Sequence, residues 1–292
     1  DPILNEYVRD EYGAFIANTI LVGRYKPGIN MNSLSRISYD LSNSKLTFLK
    51  FLKYRFTLNA DYHGSDSNIF YEVKNRSAQL FILNNRNEII YQKSTSSARL
   101  RFSIESRINY NGMDMRGWQD KRSDIYRIDS QIPLIKDYFI KYDLNVHRFS
   151  LSAGNNYTLA RNVVGYYHEL GLKKASLKNF QYEVKAVYYI DNASSELFRR
   201  DVSALGLKGD FVKFLNNNGR IDCRIDFFDA NGFDGMPAEA LKGISSDKTI
   251  RANLSSSVMI DRSLSINTSI IYTDSERYSG FFQIVGELRA YF

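Results

Sequence analysis

Cysteine and histidine are scarce in this chain of 292 residues, which has one cysteine, Cys223, and three histidines. A single cysteine excludes an internal disulfide and the cysteine-based metal and redox motifs. The histidines are dispersed at His63, His147 and His168. The segment HGSDSN at 63–68 also lacks the spaced carboxylates of a calcium loop. The sequence therefore predicts no metal site and no cofactor.

Long apolar runs and proline are also rare. The chain has only 4 Pro and no run of eighteen apolar residues, so it predicts no transmembrane helix. It has 21 Tyr and 19 Phe against a single Trp. Such an aromatic set is typical of the interfacial girdles of membrane barrels, and also of soluble β proteins. A membrane protein is not excluded, because only alternate residues of a barrel strand face lipid.

Positive charge is in excess, with a formal net charge of +7. The basic residues do not form a block, however, and no RNP-like or helix-turn-helix pattern occurs. They alternate with apolar residues instead. Nucleic acid is therefore not a predicted partner.

Strict alternation of apolar and polar residues is the main positive signal. Between residues 98 and 110, Leu100, Phe102 and Ile104 alternate with Arg101, Ser103 and other polar residues. Globular strands are usually about five or six residues long, so this segment favours a barrel wall. The same alternation runs through 281–292, FFQIVGELRAYF.

The pattern predicts an all-β, antiparallel, up-and-down transmembrane β-barrel spanning 14–292, with 1–13 as a lead-in segment. About thirteen segments alternate clearly, and single-chain bacterial barrels close with an even number of strands. Counting 78–93 as a strand gives fourteen, and twelve is the alternative. The connections alternate between short and long, and 230–247 is the longest late loop, with a helical turn expected at PAEALKG. We expect cysteine labels to react from outside the cell in 230–247 and not in 216–219.

The end of the chain resembles the C-terminal assembly signal of bacterial outer-membrane β-barrels, carried here by Phe282, Ile284, Leu288 and Phe292. Three stretches, DPILNEYVRDEYGAFI at 1–16, RGWQDKRSDIYRID at 116–129 and YTDSERYSGFFQIVGELRAYF at 272–292, resemble the C-terminal barrel region of a family of long outer-membrane proteins. The resemblance implies a bacterial outer-membrane location. It also implies that a preceding region carries the distinctive activity and that residue 1 is a cut. The implied partners are the lipid bilayer, the barrel-assembly machinery and other envelope proteins.

Catalytic residues are not evident. A hydrolase in the barrel wall needs a histidine and a serine on one strand face. His147 shares its face with Asn145 and Phe149, whereas Ser150 and Ser152 have the opposite parity. We therefore expect that the chain is not an enzyme.

A row of charged residues is expected to line the lumen if the apolar face contacts lipid. Its members are Arg99, Arg101, Glu105, Arg107, Arg127, Lys141, Asp143, Lys185, Arg220, Asp222, Arg224, Asp226, Arg251, Glu287 and Arg289. The row could be a lattice of ion pairs that fills a narrow barrel, because buried charges must be paired. It could equally line a pore whose arginine excess favours anions. The first functional hypothesis is a passive channel, and the alternative is a non-conducting anchor or docking barrel of a larger surface assembly.

Overall fold

The computed structural model describes residues 8–9, 15–16, 28–94, 98–114, 117–135, 137–154, 160–175, 180–215, 218–233, 235–245, 247–260, 263–275 and 280–290. A short hairpin pairs β1 (Val8–Arg9) with β2 (Phe15–Ile16). All other described strands belong to one antiparallel sheet of 13 strands, in which neighbours in space are neighbours in sequence.

The strands of the large sheet are β3 (Ile29–Asp40), β4 (Leu52–Gly64), β5 (Leu80–Gln92), β6 (Arg99–Asn111), β7 (Gln119–Ile135), β8 (Tyr138–Ala153), β9 (Arg161–Lys174), β10 (Phe180–Ser195), β11 (Arg199–Leu215), β12 (Gly219–Asn231), β13 (Asp247–Met259), β14 (Leu264–Asp274) and β15 (Phe281–Ala290). The described residues also contain the α-helix α1 (Ile69–Lys74), which follows β4, and 3-10 turns at Leu49–Phe51 and Ala240–Gly243.

The predicted all-β, up-and-down, antiparallel architecture is confirmed. Thirteen of the fourteen predicted strands correspond to strands of the sheet, and the irregular segment 78–93 is β5. The fourteenth, 14–24, lies outside the described residues except for Phe15–Ile16. Within the described residues the sheet therefore has thirteen strands, between the predicted fourteen and the alternative of twelve.

The two outermost strands of the described sheet are β3 and β15. In the described residues β15 pairs only with β14, and all ten of its residues are exposed. The expected pairing of the last strand with the first is thus not among the described pairings. Phe282, Ile284 and Leu288 lie in β15, and Phe292 lies outside the described residues.

The register divides the sheet into two faces, since paired residues of neighbouring strands point to the same side. We call the face that carries Arg101, Asp129, Asp143, Lys185 and Arg224 the charged face, and the opposite side the apolar face. Large exposed side chains of the apolar face are Leu100, Phe102, Ile128, Ile132, Ile140, Val164, Tyr166, Leu170, Val184, Tyr188, Leu205, Leu207, Ile225, Phe227, Ile250, Leu254, Ile266, Phe282, Ile284 and Leu288. No described helix has the length and apolar character that crossing a membrane requires.

Buried residues form two clusters on opposite faces. The larger is on the charged face, where Tyr167, Tyr189 and Phe228 pack with Leu241 from the β12–β13 loop. The smaller is on the apolar face, where Tyr62, Phe81 and Tyr110 pack with residues of α1 and the loop around it. Glu72 of α1 accepts a hydrogen bond from the Tyr62 hydroxyl and fixes the helix to β4. The core is thus at the loops that fold back onto the sheet.

Candidate functional site

Part of the β12–β13 loop lies against the charged face. Residues 236–245, which we call the seated turn, place Ala240, Leu241 and Ile244 in the buried cluster. The side chains of Leu241 and Ala240 are 0% exposed. A single helical turn was expected at PAEALKG; the structure has a turn at Ala240–Gly243, in which Leu241 and Lys242 do not have right-handed helical backbone angles. We expected this loop to be accessible to labels, and Ala238, Lys242 and Gly243 are exposed, whereas Ala240, Leu241 and Ile244 are buried.

The backbone of the seated turn adopts an unfavourable conformation. Leu241 and Lys242 have φ angles of 50° and 56°, a left-handed region that L residues with a Cβ rarely enter. Each such residue costs about 1–3 kcal/mol and persists only where its surroundings hold it. Two side chains of the sheet, Asp191 and Glu169, supply that hold.

The side chain of Asp191 in β10 binds a backbone N–H of the seated turn. Its side chain is 0% exposed, and one carboxylate oxygen, Oδ2, accepts hydrogen bonds from the Leu241 N–H and, at 2.8 Å, from the Tyr167 hydroxyl. Gly165 is directly opposite in β9. A Cβ at Gly165 would be 1.4 Å from Asp191 Oδ1, so the absence of a side chain there creates the space for the carboxylate.

His147 of β8 extends this group. Its Nδ1 is 3.1 Å from the Tyr167 hydroxyl oxygen, and the two rings stack with centroids 5.6 Å apart. A tyrosine hydroxyl has one proton, and Tyr167 donates it to Asp191. The contact with His147 is therefore a hydrogen bond only when Nδ1 carries a proton and donates.

Three lysines donate hydrogen bonds to Glu169 of β9. Its carboxylate accepts hydrogen bonds from Lys208 and Lys242 at 3.0 Å each, and from Lys185 at 3.2 Å. The Tyr189 hydroxyl donates to it at 2.6 Å. The ammonium of Lys242 also lies 4.4 Å from the ring centre of Tyr189. Burial lowers the pKa of Lys242 below its usual value, against the opposing charge of Glu169.

A lattice of ion pairs continues along β8 and β10. Lys185 contacts Asp143 at 3.0 Å and Glu183 at 2.9 Å, and Lys141 contacts Glu183 at 2.8 Å. Gly171 of β9 lies between Lys141 and Lys185 in the register, and a Cβ there would be 2.6 Å from Lys185 Cγ. The long side chains bridge two strands because the glycine between them leaves room.

A second contact fixes the start of the seated turn. Glu239 accepts hydrogen bonds from the Arg161 guanidinium at 2.8 and 2.9 Å. Burial acts to raise the pKa of Glu239, but the hydrogen bonds and charge of Arg161 outweigh it and lower the pKa below its ordinary value.

A cavity of about 380 Å³ lies between the seated turn and the sheet. It is lined by Arg107, Ser123, Ile125, Arg127, Asn145, His147, Phe149, Tyr167, Glu239 and Lys242. Within it, Arg127 donates to the Asn145 side chain at 2.6 Å. The groups that line it can accept, donate and carry charge of either sign. No group of three or more His, Cys, Asp or Glu in the described part of the chain is placed to hold a metal ion.

All fifteen residues of the predicted charged row occupy the charged face in the observed register. The structure brings Lys141, Asp143 and Lys185 into the lattice, and Arg107 and Arg127 to the cavity. The others are distributed elsewhere on the sheet. Arg99 and Arg101 both contact Asp129. The other ion pairs are Glu105–Arg107, Arg220–Asp222, Arg224–Asp210 and Glu287–Arg289. Arg251 donates a hydrogen bond to the Gly243 carbonyl, and Asp226 lies opposite Arg251 in the strand register.

The charged row omitted the residues that hold the seated turn. Asp191 has the same parity as Lys185 of β10, so alternation alone could have found it. Glu169 belongs to β9, which contributed no residue to the predicted row, and its place beside Asp143 follows from the pairing of β8 with β9. Lys242 is in a loop of 18 residues in the sequence-based division, where no period exists to place it. Its role depends on a contact between residues 73 positions apart.

No protein-family model and no curated protein matches the sequence. Among solved structures, the chain is similar to LpxR from Salmonella typhimurium, at 9% identity over 82% of this chain and 99% of that chain, with a TM-score of 0.30. It is also similar to the translocator domain of the autotransporter NalP from Neisseria meningitidis, at 12% identity over 82% of each chain, with a TM-score of 0.23. Both are outer-membrane β-barrels, and the location predicted from the sequence is the same.

The expectation that the chain is not an enzyme is corrected. The finding that overturns it is that LpxR is an enzyme. The elimination compared residues along single strands, whereas the structure brings Ser123, His147 and Tyr167 from three strands to one cavity. These likenesses assign neither an activity nor a transport role to this chain.

Proposed function

We propose that this chain is an outer-membrane β-barrel whose lumen is closed by its own β12–β13 loop, and that it acts as a non-conducting anchor or docking barrel. The observation that carries the proposal is the seated turn. Its fully buried Leu241 and its bonds to Asp191 and Glu169 fix it on the charged face.

The apolar face supports the membrane part of the proposal. Large aliphatic and aromatic side chains are exposed on it from β6 to β15, far beyond the few hundred Å² that soluble monomers usually leave open. The strands of the sheet have 10–17 residues, enough for the nine to eleven that a tilted strand needs to cross a bilayer. On this proposal the charged face is the lumen side, and β15 carries the signal that the barrel-assembly machinery reads.

Ion pairing supports the closed state. Glu169 and Asp191 are less than a tenth exposed, and each is satisfied partly by the seated turn. Removing the turn would take the Leu241 N–H away from Asp191 and the Lys242 ammonium away from Glu169, and either carboxylate would lose about 1–3 kcal/mol where it stays buried without a replacement partner. The closed arrangement therefore supplies hydrogen-bond partners to Asp191 Oδ2 and to the Glu169 carboxylate.

A passive, anion-favouring channel is the second candidate, because part of the charged face is open. The side chains of Arg220 and Arg224 are 54% and 65% exposed. An excess of arginine along a water-filled passage would favour anions. The two candidates differ in whether water and ions cross the region of the seated turn.

Conductance in planar bilayers tests the proposal. We expect the wild-type protein to show no sustained openings. Lys242→Ala together with Asp191→Ala should release the turn and produce stepwise, anion-selective openings. Arg220→Ala together with Asp222→Ala, an exposed pair on the same face, is the matched control and should stay silent. Sustained openings of the wild-type protein would reject the closed barrel in favour of the channel.

A further inference from the structure

A second pocket lies on the charged face at the opposite end of the sheet from the seated turn. It has a volume of about 460 Å³ and is formed by the start of β4, the end of β5 and the start of β6. Its lining residues are Phe51, Lys53, Arg55, Ile90, Gln92, Lys93, Ser94, Arg99 and Arg101. Five of these nine residues are cationic and none is acidic, so the walls carry charge of one sign.

Acidic residues nearby neutralise the pocket only in part. Asp129, which is 4% exposed, accepts from Arg99 at 2.8 Å and lies 3.6 Å from Arg101. Lys53 contacts Asp40 at 3.0 Å, on the exposed rim of the sheet. Glu88 approaches Arg101 only at 3.9 Å and pairs more closely with Arg86, at 2.7 Å. No described acidic side chain contacts Arg55 or Lys93 within ion-pair distance.

The guanidinium groups of Arg99 and Arg101 each have an N–H donor without a hydrogen-bond partner among the described residues. The Nε atoms of Arg99 and Arg101 are buried and have no hydrogen-bond partner in the described part of the chain. A buried donor without a partner is costly, and arginine offers five N–H groups in a fork that matches carboxylates and phosphates. The two arginines with unpartnered Nε–H groups therefore line the same pocket as the other cationic residues.

We propose that this pocket binds a phosphate monoester, with the phosphate held by Arg55, Arg99 and Arg101. A dianionic, oxygen-rich group would neutralise the excess charge and accept hydrogen bonds from the partly exposed guanidinium groups of the pocket. Phe51 and Ile90 provide an apolar wall for the carbon part of the ester. The cavity is far larger than one phosphate group, so the ligand class is an organic ester in preference to inorganic phosphate.

The same chemistry has two sources, a soluble sugar phosphate and a lipid with a terminal phosphate. We would reconstitute the full chain in phosphatidylcholine nanodiscs and titrate glucose 6-phosphate by calorimetry, with glucose as the neutral control. A second set of nanodiscs containing phosphatidic acid would be compared by the shift in unfolding temperature. Saturable binding of glucose 6-phosphate identifies the soluble source. A stabilisation by phosphatidic acid alone that Arg55→Gln removes identifies the lipid.

Arg55→Gln is the diagnostic variant, since Arg55 makes no ion pair with a described residue and its loss should not affect folding. Losing one charge-assisted contact should weaken binding at least tenfold. Arg36→Gln, an exposed position on the same face of β3, is the matched control and should bind like the wild type. Raising the salt concentration should weaken the wild type more than Arg55→Gln. Equal affinity of the two variants, or no saturable binding with either source, would overturn the proposal.

Discussion

The charged face has two regions of opposite character. On β9 and β10, Val163, Tyr189, Asp191 and Ala193 are 0% exposed, and Glu169 is 7% exposed. In the middle of β13, Asn253 and Ser257 are exposed on the same face, and all ten residues of β15 are exposed. Both regions follow the same alternation, so strand periodicity does not cause the difference.

The difference comes from what covers each region and from the side chains available. The seated turn covers β9–β11, where long lysines and acids from neighbouring strands can reach one another across Gly165 and Gly171. The charged face of β13 has short residues, Ser255 and Ser257, which cannot bridge to the next strand but one. Burial on the charged face is thus decided by a loop and by the glycines beneath it.

Gly165→Val should have the largest effect on the difference between the covered region on β9–β11 and the exposed region on β13 and β15. A Cβ at this position would be 1.4 Å from Asp191 Oδ1, so the carboxylate must leave its site and the turn loses its anchor. Overpacking of this kind, together with the lost bonds, should cost about 3 kcal/mol of unfolding free energy or more. The measurement is urea unfolding in lipid vesicles. Gly286→Val is the control, because nothing lies within 4 Å of its added Cβ. Equal stability of the two variants would contradict the role of Gly165.

Asp191→Ala should have the next largest effect. It strands two buried donors, the Leu241 N–H and the Tyr167 hydroxyl, and should lower the unfolding free energy by about 2 kcal/mol or more. Asp222→Ala is the matched change in the open region, where the side chain is 37% exposed. The same unfolding experiment would oppose the account if Asp222→Ala were the more damaging of the two.

The hold on the seated turn should weaken in acid. The lowered pKa of Glu239 means that its contribution is present above the unfolded value of about 4.5 and is lost as pH falls through the folded value. Openings in planar bilayers should therefore become frequent only below about pH 4.5. Arg161→Gln removes the cause of the lowered pKa and should move the onset to higher pH. An unchanged onset in that variant would show that the Arg161–Glu239 contact does not hold the turn.

The smallest effect is expected in the open region. Arg220→Gln breaks an exposed pair within one strand and should change the unfolding free energy by less than about 0.5 kcal/mol. A double-mutant cycle with Asp222→Asn measures the coupling. Coupling above about 1 kcal/mol would mean that this region is as tightly packed as β9–β11.

Alternation was sufficient to predict most of the fold. It placed twelve of the thirteen described strands of the sheet, and it assigned charged residues such as Arg127 and Lys141 to one face. The segment of β5, whose alternation breaks at Asn84 and Asn85, was counted as a strand only because closed barrels have an even number of strands. It could not predict that Leu241 and Lys242 fold onto that face, because their contacts with Asp191 and Glu169 span 50 and 73 residues and have no period. The space at Gly165 is likewise visible only when β9 and β10 are paired.

The placement of the seated turn can be measured most directly by thiol accessibility. In a Cys223→Ser background, the variants Leu241→Cys and Leu197→Cys each place one cysteine in a loop at the same end of the sheet. Leu241 is 0% exposed, and Leu197 is 80% exposed. We expect a membrane-impermeant maleimide to modify Cys at 197 at least a hundredfold faster than at 241, and Asp191→Ala to bring the two rates together. Equal rates in the parent background would mean that the loop is not seated on the charged face.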